Sequence, residues 1–266
     1  MTAQGPGSVG TIHERAVVDA GARLGDGVEI GPFAVIGPGV SIGAGTTVGA
    51  HAVIKGPTSI GRDNRIFQFA SIGEDPQDKK YDGELTRLEI GDRNTIREFC
   101  TLNRGTVQDS GVTRIGDDNW IMAYVHVAHD CVVGNNIVLA NGVTLAGHVT
   151  VGDHAVLGGF SGVHQFCSIG AHSFLGMFSG VTRDVPDYVT VSGHPAAPHG
   201  INAEGLKRRG FSDGQIRNIR NAYRLLYRSK LRLEEAQARL TELAASQPEI
   251  APLVRFLKAS RRSIVR

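Results

Sequence analysis

From Ile12 onward every sixth residue is a branched aliphatic: Val18, Leu24, Ile30, Ile36, Ile42, Val48, Ile54, Ile60, Ile66 and Ile72. The register breaks over 73–89, resumes at Ile90, Ile96 and Leu102, breaks again over 103–114, and then runs unbroken from Ile115 to Val181. A period of six fits neither the 3.6-residue face of an α-helix nor the two-residue alternation of a strand. It fits a triangular parallel β-solenoid, in which each hexad is one short flat side and three hexads close one coil. The three runs hold 11, 3 and 12 hexads, enough for between eight and nine coils, stacked ~4.8 Å apart. The aliphatics point inward, and small or polar residues, often a Gly directly after the aliphatic (Gly25, Gly31, Gly37, Gly43), are expected at the corners. The two breaks carry charge without an apolar pattern, so they are expected to loop outward, where a rigid scaffold can position functional residues. The period does not set the handedness, and the usual crossover preference is right-handed.

The repeat ends near Val189, which places a solenoid body over 1–190 and a C-terminal helical domain over 191–266. "SGHPAAPHG" (192–200) reads as a turn-rich linker. In 212–230, Ile216, Ile219, Tyr223, Leu226 and Tyr227 fall on one helical face, with Ser212 and Asp213 as candidate caps. Two more helices are expected over 233–246 and 248–260.

Charge divides along the same line. Residues 1–200 carry 13 Lys and Arg against 20 Asp and Glu, whereas 201–266 carry 15 against 6. A basic tail on an acidic body suits an anionic ligand or partner, or else a solvated basic helix face. No apolar run approaches the length of a membrane span. The first residues, "MTAQGPGSVG", lack the basic and apolar regions of a signal peptide. Cys100, Cys131 and Cys167, odd in number and widely spaced, suit a reducing compartment. A cytoplasmic location is expected.

Stacking converts sequence offsets into neighbours, because residues 18 apart lie above one another. Gly147 then stacks on His129, His148 on Asp130, and Gln165 on Gly147. With Val127 inward, His126 and His129 are not inward, so His126, His129, His148, His164 and Gln165 are expected along one exterior strip. A zinc ion needs several ligands within ~2.1 Å. On an extended strand His126 and His129 would lie about 10 Å apart, which makes them poor co-ligands unless a corner or another subunit intervenes. A histidine with an ordinary pKa suits a general base, and the Gly147 N–H, with no side chain in the way, suits an oxyanion donor.

The aliphatic-Gly-x4 pattern resembles the bacterial hexapeptide acyltransferases, which implies a left-handed parallel β-helix, a homotrimer, and active sites between subunits. "QFASIGEDPQDKKYDGE", "AHDC", "LAGHV", "VHQFCSIGAH" and "NAEGLKRRGF" narrow the resemblance to the UDP-N-acetylglucosamine O-acyltransferases of lipid A synthesis, over essentially the whole chain. The resemblance implies transfer of a 3-hydroxyacyl group from the phosphopantetheine thioester of acyl carrier protein to the 3-position of UDP-GlcNAc. It implies no metal, no further cofactor, no nucleic-acid partner and no stable membrane insertion. His129 is then the base, Asp78 the carboxylate that orients it, and Gly147 the oxyanion amide. Gln77, Lys80, His126, His148, His164 and Gln165 are implied sugar and phosphate contacts; Asn202, Glu204 and Arg208 match nucleotide contacts, with Arg209 alongside. The basic tail, with Arg220, Arg224 and Arg228, suits docking of the acidic carrier protein.

Two positions depart from better-known members. Asn103 replaces a His near the acceptor sugar, which leaves open whether the acceptor carries a 3-hydroxyl or a 3-amino group. Met177 replaces a Gly at the floor of the acyl groove, so a donor of about ten carbons is expected rather than fourteen; flexible packing filler is the other reading. The alternatives are the related N-acyltransferase of lipid A synthesis, a hexapeptide-fold zinc carbonic anhydrase, and a solenoid without catalytic function.

Overall fold

The computed structural model describes residues 10–266. Nearly all of the N-terminal stretch "MTAQGPGSVG", and with it the first nine residues of the 1–190 body, lies outside the described residues. Residues 17–181 wind into three parallel sheets, one per side of a triangular prism. The first face runs from Val17–Val18 to Gly180–Val181, the second from Arg23–Leu24 to Ser168–Ile169, and the third from Glu29–Ile30 to Phe174–Leu175. Each strand pairs in register with the one a coil away, as in Val35↔Val53 and Leu145↔Val163. The coil is a left-handed β-helix.

The hexad aliphatics from Ile30 to Val181 are all buried and form one continuous core. Each contributes about 1.5–3 kcal/mol relative to exposure. Only Ile12, Val18 and Leu24, in the open end coil, keep appreciable contact with solvent. A buried asparagine column satisfies polar backbone inside the prism. Asn64 Oδ1 accepts from Asn94 N (2.9 Å), Asn94 Oδ1 from Asn119 N (3.0 Å), and Asn119 Oδ1 from Ile137 N (2.8 Å).

The corners differ from expectation. The third residue after the inward aliphatic takes the left-handed conformation, and it is often large: His51, Phe69, Tyr124, Asp130, His148, Phe166 and His172 have φ between +57° and +65°. That conformation costs a non-glycine residue roughly 1–2 kcal/mol. Inter-coil bonding offsets it, because the amide of the turning residue donates to a carbonyl one coil below, as in His148 N to His129 O (3.0 Å) and Phe166 N to Gly147 O (3.1 Å). At the edge between the third and first faces the rings of Phe33, His51, Phe69, Phe99 and Tyr124 stack 5.0–5.2 Å apart. Large aromatics therefore build corners as readily as small residues do.

The outward excursions are shorter than the breaks in the repeat. Strands Ser71–Glu74 and Arg87–Ile90 leave only 75–86 outside the sheets, and Thr101–Asn103 and Val112–Ile115 leave 104–111. Leu88, Val112 and Thr113 are buried, so pairing carries on where the hexad spacing fails. A correction also falls on 192–200. Val189–Ser192 and Ala197–Ile201 form an antiparallel hairpin that extends the third face, with Val189 and Val191 buried, rather than a linker.

Four helices follow: α1 (Ala203–Arg208), α2 (Asp213–Arg228), α3 (Leu233–Ala244) and α4 (Ala251–Ala259), the last preceded by a 3-10 turn over Pro248–Ile250. Ser212 caps α2 in a reciprocal box with Gln215, which satisfies two otherwise orphaned amides. Helix α1 goes unseen in the sequence periodicity because it is too short to show a helical pattern. Ile216, Ile219, Ala222 and Leu226 of α2 pack with Leu240, Leu253 and Leu257 in a second core.

Candidate active site

The edge between the first and second faces is where the chain twice leaves the prism. Both excursions return over the column formed by His129, Gly147 and Gln165. The side chains of Gln77, Asp78, Lys80, His129, His148 and Gln165 line a cavity of about 640 Å³ there, roofed by the two excursions. Arg104, itself buried, anchors the base of the first excursion: its guanidinium donates to the Gly73 carbonyl, to Asp75 and to the Tyr81 hydroxyl (3.0 Å).

His129 is the most constrained group in the cavity. Its Nδ1 lies 2.9 Å from Asp130 Oδ2, and a carboxylate only accepts, so Nδ1 carries the proton and Nε2 presents its lone pair. Asp130 is fully buried at its side chain, whereas His129 retains 14% exposure. Burial alone would raise the Asp130 carboxyl, but hydrogen bonds from His129 and Thr106 overcome it and hold the group below the ordinary carboxylate range. A Cβ placed on Gly147 would lie 2.6 Å from His129 Cε1 and 2.7 Å from Nε2, so only glycine fits against the ring. Ala146 N donates to Val163 O and His148 N to His129 O; the Gly147 N–H between them has no acceptor among the described residues. A lone pair and an unspent amide therefore meet at one spot. Cys131, next in the chain, offers no nucleophile, because burial pushes its thiol up to about 12.

The carboxylate in contact with His129 in this chain is Asp130, where Asp78 was expected. Asp78 lines the cavity, but its Oδ1 accepts from Lys80 N (3.0 Å) and closes its own turn. The left-handed corner at Asp130 turns the carboxylate back beside the preceding ring, which register arithmetic could not reveal. His148 does stack above Asp130, with Nδ1 3.9 Å from Oδ2, but its closer partner is Asp109 Oδ2 at 2.8 Å. One ligand atom from each of His129, Asp130 and His148 lies within 4.8 Å of the others, a spacing a cation could use. Those atoms are already paired: both Asp130 oxygens accept from Thr106, and an ion would have to displace these bonds.

The remaining expected residues separate. His126 lies outward on the first face with Nδ1 2.7 Å from Thr101 Oγ1, and burial lowers its pKa, with the nearby His129 adding to the effect. His164 borders a different groove, alongside Phe160, Phe178 and His194. Arg262 from the chain's end donates to His164 Nδ1 (3.0 Å). Asn103 is only 2% exposed, donates from Nδ2 to the Asp75 carbonyl, and does not line the cavity. Met177 stands on the edge between the third and first faces, 63% exposed. Asn202 caps α1, accepting from Gly205 N (3.0 Å) and donating to His172 O (3.0 Å). Glu204 and Arg208 lie on α1 and Arg209 ends it, beside the edge between the second and third faces. Within one chain, then, the expected site residues occupy three different edges. Sequence reasoning missed Thr106, Asp109, Arg104 and Arg262, none of which carries a periodic signal.

A hexapeptide solenoid with a histidine, a free backbone amide and a polar cavity at one edge has the architecture of the hexapeptide-repeat acyltransferases, and comparison with known proteins places the chain among them. Matches to the "Bacterial transferase hexapeptide (six repeats)" family cover 21–56 and 113–147, and a match to "Udp N-acetylglucosamine O-acyltransferase; Domain 2" covers 184–265. The chain is 61% identical over 96% of its length, and 99% of the relative's, to the acyl-[acyl-carrier-protein]–UDP-N-acetylglucosamine O-acyltransferase of Thiobacillus denitrificans. The solved UDP-N-acetylglucosamine acyltransferase of Francisella novicida superposes with a TM-score of 0.95 at 45% identity, over 96% of this chain and 94% of that one. The O-acyltransferase of Moraxella catarrhalis gives 0.95 at 50%, over 96% and 99%. The chain belongs to the UDP-N-acetylglucosamine O-acyltransferase family.

Proposed function

We propose that the protein transfers a 3-hydroxyacyl group from acyl carrier protein to the glucosamine 3-position of UDP-GlcNAc, the first step of lipid A synthesis. One observation carries this reading: His129 offers its Nε2 lone pair beside an unspent Gly147 amide, with Asp130 bonded behind the ring. His129 takes the proton of the sugar 3-hydroxyl as that oxygen attacks the thioester carbonyl. The Gly147 N–H receives the developing oxyanion, and the buried Asp130 carboxylate stabilises the imidazolium. Collapse breaks the C–S bond, and the proton held on Nε2 passes to the departing thiolate. The bond made is an ester, the bond broken a thioester, and the route needs no metal.

The separation of the expected residues over three edges supports a homotrimer, since only neighbouring copies could bring Met177 and the α1 residues toward the cavity. Gln77, Asp78, Lys80, His148 and Gln165 then face the sugar nucleotide within one subunit. Met177, exposed in the single chain, would lie at the floor of the acyl path in the trimer and favours a donor of about ten carbons. Acyl carrier protein docks on the basic tail, through Arg220, Arg224 and Arg228, in the cytoplasm.

The test is a purified-enzyme assay pairing UDP-GlcNAc and its 3-amino analogue with carriers of 10, 12 and 14 carbons. Turnover is expected with the 10-carbon donor and depends on His129. Near-equal rates with 14 carbons would remove the ruler role of Met177, and stoichiometric zinc in active protein would favour the hydrase reading.

A further inference from the structure

The second excursion, 104–111, touches the catalytic corner at two points. Thr106 is buried, and both of its donors go to one carboxylate: its N–H lies 3.0 and 3.1 Å from the two Asp130 oxygens, and its hydroxyl donates to Oδ2 at 2.6 Å. The backbone of Asp130 is secured separately, its N–H donating to Thr113 Oγ1 at 2.8 Å. The Thr106 carbonyl meanwhile accepts from Asp109 N (3.3 Å) and Gly111 N (3.0 Å), so the excursion folds around this residue. That turn presents Asp109 to His148, Nδ1 to Oδ2 2.8 Å. The His148 ring is sandwiched edge-on against His129, centroids 5.0 Å apart, and face-on against Phe166 at 4.3 Å.

We infer that segment 104–111 is a two-point clamp on the catalytic corner, with Thr106 and Asp109 as positioning residues for the acyl transfer. Thr106 fixes the plane of the Asp130 carboxylate, and through it the tautomer and tilt of His129. Asp109 accepts from His148 Nδ1, so His148 turns Nε2 into the cavity. Neither residue touches the reacting atoms. Three donors on the Asp130 carboxylate, two of them from Thr106, leave it no rotameric freedom, and a base held this way loses little orientation on substrate binding. The inference rests on His129 as the base, and the experiment separates the two.

Thr106→Val, Thr106→Ser, Asp109→Ala and His129→Ala are assayed together, and the proteins labelled with ¹⁵N-histidine are compared by NMR. Thr106→Val is expected to lower kcat about 10- to 100-fold, the range seen when an outer residue that orients a functional ligand is lost. KM for the sugar nucleotide should stay within about threefold, with the His129 Nδ1–H signal shifted or lost. Thr106→Ser keeps the hydroxyl and should restore both. Asp109→Ala is an exposed change that leaves the core intact; it should raise KM several-fold and abolish the Nδ1–H preference of His148. If Thr106→Val folds with wild-type kcat and an intact His129 signal while His129→Ala is inactive, the clamp is overturned and the base stands. If Thr106→Val does not fold, an unchanged His148 signal in Asp109→Ala overturns the clamp. Retained turnover in His129→Ala overturns the base reading instead, and the histidine signals still report on the clamp.

Discussion

Two edges of the prism place a histidine in the left-handed corner position, His148 at one and His154 and His172 at the other, and treat them oppositely. At the edge between the first and second faces, His148 follows Asp130 one coil on, and both imidazoles of the pair His129–His148 find carboxylates. At the edge between the second and third faces, His154 and His172 stack 4.8 Å apart, and the Nδ1 atoms of both are buried without a partner among the described residues. Tyr188 stacks on His172 and Phe211 meets it edge-on. Burial pushes His172 down to about 4, with the charges of His154 and Arg209 acting in the same direction. His148 shares its left-handed backbone conformation with His154 and His172, whereas His129 sits one residue before the corner at Asp130. What differs is that excursions bring acids to one, while helix α1 and Phe211 bring apolar and basic groups to the other. Among the histidines at that corner position, partners rather than place in the repeat set His148 apart from His154 and His172.

The contrast between the edges is tested most severely by His129→Ala, expected to cost at least about 10³-fold in kcat, read in the acyl-transfer assay on protein shown to be folded. Asp130→Asn follows. It preserves shape but lets an amide donor face Nδ1, favouring the wrong tautomer, and a loss of about 10²- to 10³-fold in kcat is expected with binding of UDP-GlcNAc retained. Gly147→Ala comes next: the added methyl falls 2.6 Å from His129 Cε1, so the ring must tilt away from the amide, lowering kcat about 10²-fold. His172→Phe should be the smallest, leaving kcat within about twofold because its ring only stacks.

The last variant should nonetheless move the pH dependence of stability. In the unfolded chain His172 binds a proton below about 6.5, whereas in the folded protein it does so only near 4. Its contribution is therefore fully present above the unfolded value and is lost as pH falls from about 6.5 to 4. His172→Phe should flatten denaturation midpoints across that window, and an unchanged slope would show that the edge is more hydrated than its packing implies.

Much of the catalytic corner is legible in the sequence. The hexad spacing alone stacks Gly147 over His129 and Gln165 beyond it, because in a solenoid 18 residues of sequence become one coil of height. It also marks both excursions, but not their ends, since Leu88 and Val112 bury themselves outside the six-residue spacing. Motif resemblance favours Asp78 as the orienting acid, whereas the carboxylate in contact with His129 is Asp130: side-chain direction at a corner depends on φ, and φ is not periodic in residue type. The cap that Asn202 makes on the first turn of α1 likewise leaves no signal in its motif.

The solenoid, its core, its coil-to-coil register and the column bearing His129 and Gly147 were all dictated by the sequence, because each follows from a translational repeat that local hydrophobicity enforces. Only the tertiary packing decided which carboxylate backs His129, how 104–111 folds around Thr106, that 189–201 continues the third face as a hairpin, and that the expected contacts spread over three edges. Those features depend on where non-repeating segments return to the prism, and that is settled by burial and hydrogen-bond satisfaction across long sequence separations.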